Sequence, residues 1–195
     1  MSMLCTVARI SSNQIDAILN DPHAVAEMLD EISPHAIKPA GLFARLFGGK
    51  TASEEPIRPR KFAIIPDSDR FEVDKQWDIL HYLLTGPSEG AELPGAFLCS
   101  GGHEVGRDLG YGSPRLFDVI QTKKIAAYLK HFSFQVFSER YQPDQIELAQ
   151  IYWKAGQSDE EREDEIRGLW QVHGELASFL DHTAVSSGGI LVEIY

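Results

Sequence analysis

Residues 3–10 read MLCTVARI, and residues 190–195, at the other end of the chain, read ILVEIY. Both runs are apolar and partly β-branched, which is typical of buried strands. A strand without a neighbour leaves backbone N–H and C=O groups unpaired, so we expect these two distant segments to pair with each other. Helical patterns dominate the sequence between them. The sequence therefore predicts an α+β fold: a single domain with a small mixed or antiparallel sheet that includes both terminal strands and packs against several helices.

The chain of 195 residues carries a formal net charge of -11. This charge argues against nucleic-acid binding, which needs Lys and Arg against phosphates, and it suits a basic protein partner. No apolar run approaches the ~20 residues of a membrane span, and the N-terminus lacks a secretion signal, so we expect a cytoplasmic protein. Cys5 and Cys99 match no zinc or redox spacing, and we expect buried free thiols. The sequence indicates no metal and no cofactor.

Apolar residues at helical spacing predict six helices, with several recognisable starts. Ser11 or Ser12 suits the N-cap of the first, and Asp118 with Gln121 three residues later resembles a capping box. Six of the seven residues at 159–165 are acidic, which suits the positive N-terminal end of the longest predicted helix. The pattern places His173 and His182 at polar positions of that helix. The predicted helices begin after Ser11, after Asp21, near Asp74, at Asp118, near Pro143 and near Asp159.

Residues 33–68 lack a sustained period and contain five of the ten prolines. Their local charge is basic, in contrast to the rest of the chain. We interpret this segment as a long loop or insertion. Within it, GLFARLFGG (41–49) is amphipathic and suits either a loop helix that packs on the body or a patch for a partner or a membrane surface. The run KFAII (61–65) is compatible with a short strand.

The stretch DKQWDILHYLLTG (74–86) predicts a helix that ends at Gly86. Trp77 belongs to its apolar stripe, and Asp78 and His81 lie three apart on the neighbouring stripe, within reach of each other. A carboxylate beside an imidazole can orient it as a general base. The alternative is a boundary histidine with a structural role. As a zinc site the pair lacks ligands.

Five glycines fall between positions 101 and 112, close to Arg115 and to the helix start at Asp118. Exposed backbone N–H groups, an arginine and a helix N-terminus can together hold an anion. However, the stretch matches no known phosphate-binding motif, and Asp118 would repel a phosphate. The alternative is a series of tight turns that require positive φ.

Two motifs, KQWDILHYLLTG (75–86) and GYGSPR (110–115), resemble those of the YfbM-like family, bacterial proteins that share a domain of unknown function. The resemblance covers nearly the whole chain. It departs from the family at Ser113-Pro114, where Pro-Ala is common, and over 33–68, which is longer and more basic. The resemblance implies a single cytosolic α+β domain and brings no established activity. Because both motifs carry it, it also implies that Trp77, His81, Tyr111 and Arg115 meet in one place.

Two functions remain open on these grounds. The first, which we favour, is a non-enzymatic protein-binding or accessory domain, of the immunity type for example, that pairs with a basic protein. The second is an enzyme or a binder of a small anionic ligand. The sequence does not identify the ligand, the partner or the oligomeric state. The candidate ligand-binding residues are Trp77, Asp78, His81, Tyr111 and Arg115.

Overall fold

In a computed structural model, residues 3–21, 23–29, 61–86 and 92–195 are described. Five of their segments form one antiparallel sheet in the order β2-β1-β5-β4-β3. The strands are β1 (Cys5–Ile10), β2 (Arg70–Asp74), β3 (His103–Glu104), β4 (Arg115–Phe117) and β5 (Gly189–Ile194). The helices are α1 (Ser12–Asn20), α2 (Ala24–Met28), α3 (Trp77–Thr85), α4 (Val119–His131), α5 (Phe134–Arg140), α6 (Pro143–Leu148) and α7 (Asp159–Val185).

The two terminal strands form the centre of the sheet. β1 and β5 pair along their full length, from Cys5 opposite Ile194 to Ile10 opposite Gly189. This pairing confirms the α+β prediction with both terminal strands in one sheet. Because side chains alternate between the faces of a strand, successive residues enter two separate cores. Val7 belongs to a large cluster with α3, α4, α5, α6 and α7, and Ala8 to a smaller cluster with α1 and α2.

Capping boxes define three of the helix starts. Ser11, Asp118 and Ser158 each accept a hydrogen bond from the backbone N–H three residues later. In each case the side chain at that later position bonds back to the cap backbone, which completes a capping box. The predicted starts of α1, α4 and α7 are therefore confirmed.

Several segments differ from the sequence prediction. Residues 61–65 form no strand: Ile65 donates one backbone hydrogen bond to the carbonyl of Met28, at 2.8 Å, and Ile64 is exposed. The strand of this region is β2 instead, and a turn at Asp74, with φ of 55°, separates it from α3. The predicted helix therefore begins at Trp77. The remainder of the predicted insertion, residues 33–60 with its amphipathic stretch, lies outside the described residues.

Candidate functional site

Helix α3 presents Trp77 and His81 one turn apart, and both side chains are half-buried. Arg115, the first residue of β4, lies close enough to influence His81 electrostatically. Burial lowers the pKa of His81, Arg115 lowers it further, and Asp78 opposes them. The structure thus brings Asp78, His81 and Arg115 close to one another and to Cys99, and Trp77 lies one helical turn before His81 on α3. We call this group the His81 cluster; it comprises Trp77, Asp78, His81, Cys99 and Arg115.

Asp78 does not orient His81 through a hydrogen bond. One of its carboxylate oxygens accepts the backbone N–H of Tyr152, at 2.6 Å. The carboxylate therefore fixes the loop between α6 and α7 against the first turn of α3. Its influence on His81 is electrostatic only.

One nitrogen of the Arg115 guanidinium has a hydrogen-bond partner in the backbone. Its Nη2 donates to the backbone carbonyl of Leu98, in the turn that precedes Cys99. Burial lowers the pKa of Arg115, while Glu104 and the two cysteines act in the opposite direction. Among the described residues, no carboxylate forms an ion pair with this guanidinium.

Three nitrogen atoms of the His81 cluster are buried and have no hydrogen-bond partner among the residues that the structure describes. They are Nε1 of Trp77, Nδ1 of His81 and Nε of Arg115. The indole and guanidinium nitrogens can only donate, whereas the neutral imidazole nitrogen can donate or accept, depending on its tautomer. A buried donor without an acceptor costs about 1–3 kcal/mol, so the two obligate donors, on Trp77 and Arg115, point to an acceptor that the described residues do not supply.

The two cysteines of this region are unreactive thiols. Burial, reinforced by the negative charge of Asp78, raises the pKa of Cys99 to about 12. Burial likewise raises the pKa of Cys5, which is fully buried in β1. Because the thiolate is the nucleophilic form, neither residue suits nucleophilic catalysis near neutral pH.

Tyr111 lies outside this arrangement, on the glycine-rich turn before β4. Its side chain is 42% exposed, and no described hydrogen bond or ring contact joins it to the His81 cluster. In the same turn the backbone N–H groups of Gly110 and Gly112 donate to a carboxylate oxygen of Asp108, at 2.7 and 3.1 Å. Both glycines have φ above 100°. The geometry therefore favours the tight-turn interpretation, because an acidic side chain of the chain itself takes these donors.

His173 is a residue whose position the sequence analysis assigned wrongly. Instead of a polar surface position it occupies the buried face of α7, with 3% of its surface exposed. The signal was present in the spacing, since Leu169, His173, Leu176 and Leu180 recur at intervals of four, three and four, as expected for one helix face. For His173, helical spacing therefore predicts the environment better than the polar character of histidine does.

The described residues contain no group of three or more His, Cys, Asp or Glu side chains placed to hold a metal ion. Among the described helices, none combines the length and apolar character that crossing a bilayer requires.

The family model described as "Domain of unknown function (DUF1877)" matches residues 1–193. Among solved structures, the chain is similar to the crystal structure of YfbM, a protein of unknown function from Escherichia coli. The two share 17% sequence identity with a TM-score of 0.64, over 98% of this chain and 99% of YfbM. These matches confirm the resemblance to the YfbM-like family, and at this identity the structural match supports the fold alone. None of the curated proteins shows significant similarity to the chain.

Proposed function

This chain belongs to the DUF1877 family, and we propose that it binds a small anionic ligand, through a phosphate or carboxylate group, at the His81 cluster. The observation that carries the proposal is the set of three buried nitrogens without partners on Trp77, His81 and Arg115. Two of them are obligate donors, so the complementary group must be an acceptor. The guanidinium beside them has no ion-paired carboxylate among the described residues, which favours an acceptor with negative charge.

The surroundings of the His81 cluster leave these donors available. Asp78, the nearest carboxylate on α3, already accepts the N–H of Tyr152. The carbonyl of Leu98 takes only one nitrogen of Arg115 and leaves Nε without a partner. An anion that reached this point would meet the indole and guanidinium N–H groups, and the imidazole as well when His81 donates. This arrangement supports binding; it supplies no nucleophile, because Cys99 is held as the thiol.

Substitution of Trp77 by phenylalanine tests the proposal. The change removes one donor and keeps an aromatic ring, so we expect about a tenfold weaker affinity for inorganic phosphate or acetate, the value for one hydrogen bond to a charged acceptor. The affinity is measured by isothermal titration. The rise of the melting temperature with anion concentration provides a second measurement.

The matched control is Trp153→Phe, because Nε1 of Trp153 already donates to the hydroxyl of Tyr141, at 3.3 Å. This variant should retain the affinity of the unmodified protein for both anions. If neither anion binds the unmodified protein, or if both tryptophan variants lose affinity equally, the proposal is wrong.

A second candidate function is binding to a basic protein, which the net charge of -11 favours. The first turns of α7 expose several carboxylates on one end of the molecule, while Glu161 and Glu165 of the same segment are engaged in hydrogen bonds. The free thiols of both cysteines support the predicted cytoplasmic location, where such a partner would be met. The exposed acidic residues are Asp159, Glu160, Glu163 and Asp164.

Charge reversal tests this second candidate. We expect the double change Glu160→Lys and Glu163→Lys to abolish binding to a captured basic protein while leaving the α7 cap intact, because Ser158 and Glu161 are unchanged. Glu147→Lys, an exposed position on α6, is the control. Binding is measured by titration of the captured protein. The absence of a saturable partner, or equal binding by all three proteins, contradicts this candidate.

A further inference from the structure

The imidazole of His173 is buried in an aromatic environment without any polar partner. Both of its ring nitrogens lack a hydrogen-bond partner among the described residues. Its ring stacks on Trp170, with centroids 4.4 Å apart and an angle of 12° between the planes. The rings of Phe132 and Phe137 lie at about 6 Å. Two buried nitrogens without hydrogen-bond partners lower the stability of the fold. A bound molecule could supply the partners that the described residues do not.

His173 lines a groove between the C-terminal half of α4 and the middle of α7. The groove has a volume of about 300 Å³, and its walls include Leu129, Phe132, Trp170 and Ala177. This volume lies at the lower end of the range for small-molecule sites. The groove thus combines aromatic and aliphatic walls with one buried polar side chain, that of His173, whose ring nitrogens have no partner among the described residues; the exposed Ser178 also lines it.

The glycine at position 174 keeps the groove open. Gly174 belongs to the lining, and a Cβ atom placed there would have no neighbour within 4 Å. Glycine in the interior of a helix costs about 1 kcal/mol relative to alanine. Because Gly174 is exposed and lies in the wall of the groove, a larger side chain at this position would meet no clash with the protein.

The charges around the groove select a neutral ligand. At its rim, Nζ of Lys130 lies 3.3 Å from a carboxylate oxygen of Asp181, so the two charges compensate each other. Burial lowers the pKa of His173 to about 4, so the imidazole is uncharged near neutral pH. A neutral imidazole offers one donor and one acceptor, which suits a hydroxyl or an N–H group.

We propose that this groove binds a small, neutral, planar aromatic molecule that carries one hydroxyl or N–H group, with His173 as its hydrogen-bond partner. The ring of the ligand would pack among Phe132, Trp170 and the aliphatic walls, where aromatic groups prefer offset or edge-to-face contacts. This site lies on α4 and α7 and does not depend on the anion site at the His81 cluster.

The test uses phenol, indole and toluene as probes of the full-length chain. Phenol and indole should bind about tenfold more tightly than toluene, which has a similar ring and no hydrogen-bonding group. Binding is followed through the imidazole resonances of His173 and by isothermal titration. In His173→Phe the preference for phenol over toluene should disappear, whereas His182→Phe, at an exposed histidine of the same helix, should keep it.

A second pair of variants tests the location of the site without altering His173. Gly174→Leu should abolish phenol binding because the new side chain fills the groove. Gly168→Leu, at an exposed glycine of α7 that also has open space around it and does not line the groove, should bind phenol normally. Circular dichroism checks that both variants are folded. The proposal is overturned if phenol does not bind, if toluene binds equally well, or if the two leucine variants have equal affinity.

Discussion

Replacement of Phe117 by alanine is expected to lower the free energy of unfolding by about 3–5 kcal/mol. Phe117 is fully buried, and it is the last residue of the three-residue strand β4. Its ring packs so close to Gly102 that a Cβ atom on this glycine would lie 3.0 Å from it. The loss combines the transfer free energy of the ring with the cost of a cavity that a rigid backbone cannot close.

Urea unfolding measures this effect, and Phe134→Ala provides the control. Phe134, in α5, is 45% exposed and packs its ring against Trp170, with centroids 5.3 Å apart. The same chemical change there should cost about 1 kcal/mol or less. Similar losses for the two variants would contradict the assignment of Phe117 to the core.

The terminal strands could be predicted because most residues of each are apolar or β-branched. Because these strands are buried on both faces, their sequences are largely apolar runs such as ILVEIY. Each strand also needs a neighbour, and the pairing of the two forms the centre of the sheet. The helices that carry capping boxes were predictable for a similar reason. A cap is a local hydrogen-bond pattern, so residues three apart in sequence are enough to specify it.

The shorter strands could not be predicted from local pattern. β3 has two residues and β4 has three, and their conformation depends on pairing with β5 rather than on any run of β-forming residues. β2 ends at the turn at Asp74, directly before α3, so the sequence pattern does not separate the strand from the helix that follows. In contrast, KFAII has strand-like composition but pairs with none of the five described strands, and composition alone does not form a strand.

The candidate site was predictable only in part. Helical spacing correctly places Trp77 and His81 on neighbouring turns of α3, but the proximity of Arg115 depends on the sheet and followed only from the family resemblance. The same resemblance brought Tyr111 into the group, and the turn at Asp108 instead leaves it exposed.

Replacement of His173 by phenylalanine should stabilise the protein, and increasingly so as the pH falls. Burial among aromatic rings lowers the pKa of His173 from 6.5 to about 4 in the folded state. Above pH 6.5 the imidazole is neutral whether the chain is folded or unfolded, so its titration contributes nothing there. Phenylalanine still removes two buried nitrogens that have no hydrogen-bond partner. This change should add about 1 kcal/mol to the free energy of unfolding.

Between pH 6.5 and pH 4 the unfolded chain binds a proton at His173 and the folded chain does not, so the unmodified protein loses stability as the pH falls. The full loss is about 3 kcal/mol, and it ends near pH 4, where the folded state also binds the proton. His173→Phe removes this contribution, so its advantage in urea unfolding should grow across the window. His81, whose pKa burial also lowers, titrates in both proteins and cancels from the difference. A pH-independent difference between the two proteins would show that His173 titrates alike in the folded and the unfolded chain, which would contradict its burial on α7.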